Sequence, residues 1–176
     1  VLNVTPDSFS DGGKFDATDG AVARALEMVG EGAAIIDIGG ESTRPGAPDV
    51  DVDTELARVI PVIEVLAATV DVPLSIDTRK PDVMQAAVQA GAGMINDVQA
   101  LQGEGAIEIA ANAAVPVCLM HMQGSPGTMQ TDPCYDNVVT EVGDFLEARA
   151  AACIAGGIPR ERLLLDPGFG FGKTVE

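Results

Sequence analysis

Six short apolar runs in the sequence each end in, or are followed by, a polar side chain that could bind a ligand. In chain order these side chains are Asn3, Asp37, Asp77, Asn96 with Asp97, His121 and Asp166. A single Asp or Asn at such a position is often a helix N-cap or the first residue of a loop. Their recurrence after every run instead predicts a shared site. Because an ionised carboxylate can accept two parallel N–H bonds from an amidine-like edge, the site suits a ring such as a 2-amino-4-oxo-pyrimidine.

Cationic side chains that could complete this site are few. Arg44 lies in the Gly/Pro-containing segment 41–46 (ESTRPG). Its guanidinium could bind a phosphate or a carboxylate through two hydrogen bonds, or it could pair with a surface acid. Arg79 and Lys80 follow Asp77 after one intervening residue, where they either add positive charge to the site or begin a helix.

The Gly-rich segment 165–174 (LDPGFGFGKT) has neither the glycine spacing of a P-loop nor that of a dinucleotide-binding loop. Its glycines allow tight turns, so Phe169 and Phe171 either stack on a planar ring or fasten the loop to the fold. Met120 and Met122 are likewise either soft apolar contacts beside such a ring or part of the core.

The elements that must position these residues alternate along the chain. The apolar runs are 1–4, 33–38, 72–76, 93–95, 115–120 and 163–165, and segments with helical periodicity are 21–30, 56–66, 83–90, 107–114 and 138–154. Short runs that are apolar throughout are typical of parallel strands buried on both faces. The alternation predicts an α/β fold with a parallel sheet. Because no GxGxxG follows the first run and polar residues follow all of them, we expect a (β/α)8 barrel with about six of its eight units in this sequence.

Composition excludes several classes of protein. The 176 residues include 27 acidic and 10 basic side chains, a net charge of −17, which argues against duplex nucleic acid as a partner. Apolar stretches are well short of the roughly 20 residues of a membrane span, and no secretory signal opens the sequence. The three cysteines are widely spaced, there is one histidine, and no third group orients a Cys118–His121 pair. These features predict a cytoplasmic protein without a zinc site or a cysteine nucleophile.

Six segments together resemble the bacterial type of dihydropteroate synthase. They are LNVTPDSFSDGG (2–13), IDIGGESTRPGA (36–47), SIDTRKP (75–81), GMINDV (93–98), VCLMHMQGSPGTMQ (117–130) and LLLDPGFGFGKT (163–174). The resemblance implies a TIM barrel that joins 6-hydroxymethyl-7,8-dihydropterin diphosphate to p-aminobenzoate, giving 7,8-dihydropteroate and diphosphate. It also implies a requirement for Mg²⁺, inhibition by sulfonamides as p-aminobenzoate mimics, and a homodimeric full-length enzyme.

The resemblance implies roles for particular residues. Asp77, Asn96 and Asp166 would hold the pterin ring, with Met120 and Phe171 beside it. Asp77 would also stabilise the positive charge that forms on the pterin methylene carbon as diphosphate leaves. Asn3 would contribute to the Mg²⁺–diphosphate site, and Arg44 would offset the charge of the leaving group. The residues implied for the diphosphate and p-aminobenzoate lie in the first two loops and are Ser8, Phe9, Thr43, Arg44 and Pro45.

The resemblance also implies what this sequence lacks. The family has a Lys after its seventh strand and an Arg–His pair after its eighth, and the sequence ends in the loop after the sixth. We therefore expect residues 1–176 to form part of a pterin-binding barrel domain, without strands seven and eight and inactive alone. A pterin-dependent methyltransferase barrel and a non-catalytic pterin-binding paralogue are the alternatives, although segments 5–13 and 41–47 argue against the methyltransferase.

Overall fold

The computed structural model describes residues 1–5, 13–42, 49–124 and 127–174. Its strands are β1 (Leu2–Asn3), β2 (Ile36–Gly39), β3 (Leu74–Asp77), β4 (Met94–Asp97), β5 (Val117–Met120) and β6 (Leu163–Asp166). Its helices are α1 (Gly13–Gly30), α2 (Val52–Ala67), α3 (Pro81–Ala90), α4 (Ala106–Ala113) and α5 (Val138–Ala155), with a short 3-10 helix (Arg160–Arg162) before β6. The six strands and five helices expected from the sequence are confirmed.

The element boundaries differ from the expected ones at the capping residues. Helix α2 starts four residues earlier than its apolar pattern, because the Asp51 side chain caps it by accepting a hydrogen bond from the Thr54 amide at 2.7 Å. Helix α3 also starts early, with Pro81 in its first turn, where a missing N–H does no harm. Pro61 lies inside α2 without ending it. Strand β3 extends to include Asp77, because parallel pairing with β4 continues through that residue.

The strands form one parallel sheet in the order β1-β2-β3-β4-β5-β6. This order follows the chain and contains no reversal. An open doubly wound sheet has such a reversal, and its ligand binds there. The order is instead that of the wall of a (β/α)8 barrel, in which each new strand is added beside the last. At one end of the sheet, Leu164 and Leu165 of β6 are 45% and 48% exposed.

The two faces of the sheet differ in chemistry. The side chains of Ile36, Ile38, Ile76, Ile95 and Leu119 are fully buried on the outer face, where the helices cover them. Successive residues of a strand point to opposite faces. The polar residues that alternate with these aliphatic ones therefore lie on the inner face, where a barrel holds its ligand.

Helix length and hydropathy argue against a membrane span in the described ranges. None of the helices there is both long and apolar enough to cross a bilayer. The three cysteines, which the structure describes in full, are free thiols.

Candidate functional site

Strand register brings three of the predicted site residues, Asn3, Asp77 and Asn96, into one row at the carboxyl end of the sheet. Asn3 pairs with Gly39, Gly39 with Asp77, and Asp77 with Asn96. The row continues to Cys118 of β5. Since register partners share a face, these side chains lie side by side on the inner face. Gly39 lies directly against Asp77: a Cβ atom placed on Gly39 would be in ordinary van der Waals contact with the Asp77 carboxylate, at 3.5 Å.

The Asp77 carboxyl group lies in an unusually acidic environment. Burial raises the pKa of Asp77 to about 7, and the negative charges of Asp37, Asp97, Glu55 and Glu41 act in the same direction. A group with this pKa exchanges its proton near neutral pH, and an N–H donor that binds it would favour its ionised form. Strongly shifted carboxyl groups of this kind are concentrated at functional sites.

Asp37 and Ser75 form a polar floor beneath this row. Their Cα atoms are register partners two residues below Gly39 and Asp77, and the Asn96 side-chain amide donates to Asp37 at 3.2 Å. The second carboxylate oxygen of Asp37 and the Ser75 hydroxyl are buried without a hydrogen-bond partner among the described residues. Buried polar atoms without partners carry a free-energy penalty, and a bound ligand or water would remove it.

Asp37 is among the polar residues from which the sequence predicts a shared site, whereas Ser75 was not assigned to it. The available signal was a polar residue at an alternate position inside an otherwise apolar strand. In IDIG and LSID, Asp37 and Ser75 occupy the second position, which register places on the inner face. Short apolar runs hide this alternation, because both faces of such a strand are buried.

Asp166 ends β6 on the same inner face, beside Met120 of β5. The two are register partners, and the Asp166 backbone carbonyl accepts from the His121 amide at 2.9 Å. One Asp166 carboxylate oxygen accepts from the Gly168 amide at 2.7 Å. Met120 is buried, and Phe171 is half-buried in the loop that follows. An acidic group and two large apolar side chains thus come from two adjacent strands and the loop after β6.

Asp97 and His121, which the sequence also placed at strand ends, belong neither to the row nor to the floor beneath it. Asp97 is fully buried on the opposite face and accepts from the amides of Gln99 and Leu101, each at 2.8 Å. Burial raises the pKa of Asp97 to about 6, although these hydrogen bonds favour its ionised form. His121 is buried, with its ring in edge contact with Phe145 at 4.9 Å between centroids. Both side chains shape the loops around the site.

Cys118 lies in the row but is poorly suited to nucleophilic attack. Burial raises the pKa of the Cys118 thiol to about 11, and the negative charges of Asp166, Asp37 and Asp77 act in the same direction. Because the thiolate is the reactive form, a thiol with so high a pKa is inert at neutral pH.

The cations Arg79 and Lys80 belong to an ion-pair cluster at the β2–β3 side of the row. Lys80 pairs with Glu41 and with the fully buried Glu55. Arg79 pairs with Glu41 and with Asp49, each at 2.9 Å. Lys80 is also the N-cap residue of α3. The sequence left open whether Lys80 begins a helix or adds positive charge to the site. Lys80 does begin a helix, and its charge neutralises carboxylates beside the site.

The remaining predicted site residues are unevenly covered. Asn3 is exposed at the end of β1, in the row with Asp77. Ser8, Phe9, Thr43, Arg44 and Pro45 lie outside the described residues. Within the described ranges, no group of three or more His, Cys, Asp or Glu side chains is arranged to hold a metal ion.

Comparison with known proteins identifies the class to which this fold and site belong. The family of pterin-binding enzymes matches residues 1–176, so the chain belongs to that family. Dihydropteroate synthase of Escherichia coli (strain K12) is 54% identical over 175 residues, which are 99% of this chain and 62% of that protein. The Haemophilus influenzae enzyme of the same name is 51% identical over 176 residues, and this chain covers 64% of it.

Solved structures agree with this relationship. Yersinia pestis dihydropteroate synthase with a sulfonamide drug superposes with a TM-score of 0.91 at 54% identity, over 98% of this chain and 63% of that one. The Xanthomonas albilineans enzyme with 7,8-dihydropteroate gives a TM-score of 0.86 at 54% identity, over 98% and 60% of the two chains. The TIM-barrel class expected from the sequence is confirmed, and the chain spans about three fifths of the length of these relatives.

Proposed function

We propose that the protein is a dihydropteroate synthase and that these six βα units are part of its eight-unit barrel. The observation that carries this proposal is the inner-face row of Asp77 and Asn96 above the unpartnered Asp37 carboxylate oxygen. This arrangement suits a planar ring with several N–H donors. The names of the relatives support a pterin as that ring.

In this proposal the pterin ring is held by Asp77, Asn96 and Asp166, with Met120 and Phe171 against its apolar surface. The ring's N–H groups donate to the carboxylates, and they replace the water that a free carboxylate would otherwise need. Because the pKa of unliganded Asp77 is about 7, N–H donation to its ionised form releases a proton at neutral and lower pH.

The proposed reaction is a substitution at the methylene carbon of the pterin diphosphate. The carbon–oxygen bond breaks, and its electron pair leaves with diphosphate. The Asp77 carboxylate stabilises the positive charge on the pterin, and the p-aminobenzoate nitrogen then forms the new bond and loses a proton. No nucleophile from the protein is required, which agrees with the inert thiol of Cys118.

Mg²⁺ enters this scheme with the diphosphate. Mg²⁺ prefers oxygen ligands, keeps several waters, and is commonly bound through one or two protein groups and substrate phosphates. The exposed Asn3 amide oxygen in the row fits that limited role. When bound, the ion would neutralise charge on the leaving group. We assign the remaining contacts to the diphosphate and p-aminobenzoate to Ser8, Phe9, Thr43, Arg44 and Pro45, on the basis of the resemblance.

A chimera tests this function, because the chain covers only part of its relatives. Residues 1–176 would replace the matching 175 residues of the Escherichia coli enzyme, and dihydropteroate formation would be measured. We expect product, and we expect Asp77→Ala in the chimera to lower kcat/KM by about a hundredfold. Glu147→Gln, at an exposed position of α5, is the matched control and should leave the rate unchanged.

A folded chimera without product, or full activity with Asp77→Ala, would refute the proposal. Binding of methyltetrahydrofolate in preference to the pterin diphosphate would favour a methyltransferase instead. Assayed alone, the 176-residue chain should be inactive, and turnover comparable to that of a full-length enzyme would contradict this. The cytoplasmic location, the homodimer and competition of sulfonamides with p-aminobenzoate stay predictions of the same proposal.

A further inference from the structure

The Lys173 ammonium group is enclosed by acceptors from two neighbouring loops. Its Nζ atom lies 3.0 Å from the carbonyl oxygens of Gly168 and Phe171, in its own loop after β6. It lies 3.0 Å from Nδ1 and 3.3 Å from the carbonyl oxygen of His121, which follows β5. These three carbonyls and one imidazole nitrogen form what we call the Lys173 cage.

The chemistry of the cage fixes the role of each partner. An ammonium group has three N–H donors and no acceptor, so His121 Nδ1 accepts and its neutral ring carries hydrogen on Nε2. Four acceptors share three donors, so no N–H is left for an outside anion. Lys173 therefore cannot serve as a phosphate-binding lysine, although its Gly-rich surroundings invite that comparison.

The His121 side of the cage is held in place by its own neighbours. The ring contacts Phe145 edge-on and lies 6.1 Å from the Tyr135 ring, whose hydroxyl donates to the Gly172 carbonyl at 2.7 Å. Burial lowers the pKa of His121, the charge of Lys173 lowers it further, and Glu141 opposes them. The imidazole is thus kept neutral and able to accept.

The two loops also approach closely through their backbones. Gly168 has φ +65°, and a Cβ atom there would lie 2.1 Å from the His121 carbonyl oxygen. Gly172 has φ +64°, and a Cβ atom there would lie 2.9 Å from atoms of Gln123. Contact this close brings carbonyls of both loops around one ammonium group, which offsets their mutual repulsion.

We propose that Lys173 is a positioning residue that sets the loop after β6 for pterin binding. The cage fixes the carbonyls of Gly168 and Phe171, the Gly168 amide holds the Asp166 carboxylate, and the Phe171 amide donates to Gly168 at 3.0 Å. Lys173 thereby acts on two predicted pterin contacts without touching the pterin. This inference rests on the proposed function for the identity of the ligand.

The first test measures the contact between Lys173 and His121 in the absence of any ligand. His121 is the sole histidine of the chain, so its imidazole NMR signals need no assignment. In the wild type we expect the Nε2–H tautomer and a pKa below the usual histidine value. Lys173→Met removes the donor and the charge, so the tautomer preference should weaken and the His121 pKa should rise. Arg160→Met, which removes an exposed charge before β6, should change neither.

The second test separates the pterin from the diphosphate by calorimetry with 6-hydroxymethylpterin and with inorganic pyrophosphate plus Mg²⁺. Lys173→Met should weaken pterin binding by about tenfold and leave pyrophosphate binding unchanged. Loss of pyrophosphate affinity with unchanged pterin affinity would overturn the inference, as would unchanged His121 signals.

A third variant keeps both tests decisive if Lys173→Met does not fold. Lys173→Arg retains the charge, so the His121 pKa should stay low. Its pterin affinity should lie between that of the wild type and that of Lys173→Met. Equal pterin affinity in the wild type and in a Lys173→Arg variant with altered His121 signals would overturn the inference. A folded chimera with wild-type residues 1–176 that binds no pterin would refute the proposed function, and the His121 signals would then decide whether the cage exists.

Discussion

Two lysines hold opposite sides of the candidate site in different ways. On the β2–β3 side, Lys80 pairs with the carboxylates of Glu41 and Glu55. On the β5–β6 side, Lys173 is enclosed by neutral carbonyls and the His121 imidazole. The first arrangement depends on charge balance, and the second depends on the close approach of two backbones. The two lysines therefore stabilise the site by different interactions, and different substitutions should distinguish them.

The largest expected difference between the two sides is the loss of stability when a glycine is replaced by alanine. Gly168→Ala places a methyl group against the backbone oxygen of His121 at positive φ, so neither partner can yield cheaply. Gly40→Ala, near Lys80, instead meets side-chain atoms of Val59 and Glu55 at 2.8 and 2.9 Å. We expect free energies of unfolding to fall by about 4 kcal/mol for the first and about 2 kcal/mol for the second. Urea denaturation measures both.

Gly30 offers the matched control for this pair. It ends α1, and a Cβ atom there would have no neighbour within 4 Å. Gly30→Ala should therefore leave stability unchanged or slightly higher. Gly168 contacts backbone on the β5–β6 side, and Gly40 contacts side chains on the β2–β3 side. If Gly168→Ala lowered the free energy of unfolding less than Gly40→Ala does, this difference between the two sides would be contradicted.

A smaller effect is expected from breaking the ion pairs. Lys80→Met leaves Glu55 fully buried without its partner, and removing one member of a buried pair lowers the free energy of unfolding by about 3 kcal/mol. Replacing Lys80 by Met and Glu55 by Leu together should restore most of that loss, because the uncompensated charge is gone. Thermal and urea unfolding of the single and double variants measure this recovery.

The control for the ion pairs is an exposed one. Arg24 of α1 pairs with Glu27 and Glu31 at the surface, where water screens the pairs, so Arg24→Met should leave stability nearly unchanged. Equal losses for Arg24→Met and Lys80→Met would show that burial of Glu55 does not matter. A double variant no more stable than Lys80→Met alone would show the same.

The fold was largely predictable because each element has a local signal. Apolar runs gave the six strands, and helical periodicity gave the five helices, including α2 across Pro61. Helix starts were missed where a polar cap rather than an apolar residue marks them, as at Asp51. Strand ends were missed by a residue or more where pairing includes a polar residue, as at Asp77.

The candidate site was predictable in part. Asp77 and Asn96 stood out because each directly follows an apolar run, and register makes them neighbours. Ser75 gave no comparable signal inside a short buried strand, and its pairing with Asp37 depends on register between two strands. The role of Lys173 depends on a contact with His121, which is 52 residues away in the chain. Contacts of this kind arise only from the folded arrangement of loops.

The net charge of −17 includes a group of carboxylates close to Asp77. Several carboxylates close together make the unliganded site unfavourable, and a pterin with N–H donors would relieve that repulsion. The unfolded Asp77 ionises near 3.8, whereas the folded group keeps its proton up to about 7. The stability that Asp77 contributes is therefore complete below about pH 4 and is lost as the pH rises through about 7.

In the proposed function Asp77 lowers stability at neutral pH and binds the pterin, and one comparison tests both effects together. Free energies of unfolding at pH 4 and pH 8 would be measured for the wild type and Asp77→Asn, together with 6-hydroxymethylpterin affinity. We predict that Asp77→Asn is about 2 kcal/mol more stable at pH 8, equal at pH 4, and about a hundredfold weaker in pterin binding. Asp144→Asn, exposed on α5, should match the wild type. An Asp77→Asn variant that is less stable at pH 8, or that binds pterin as tightly as the wild type, would contradict the claim.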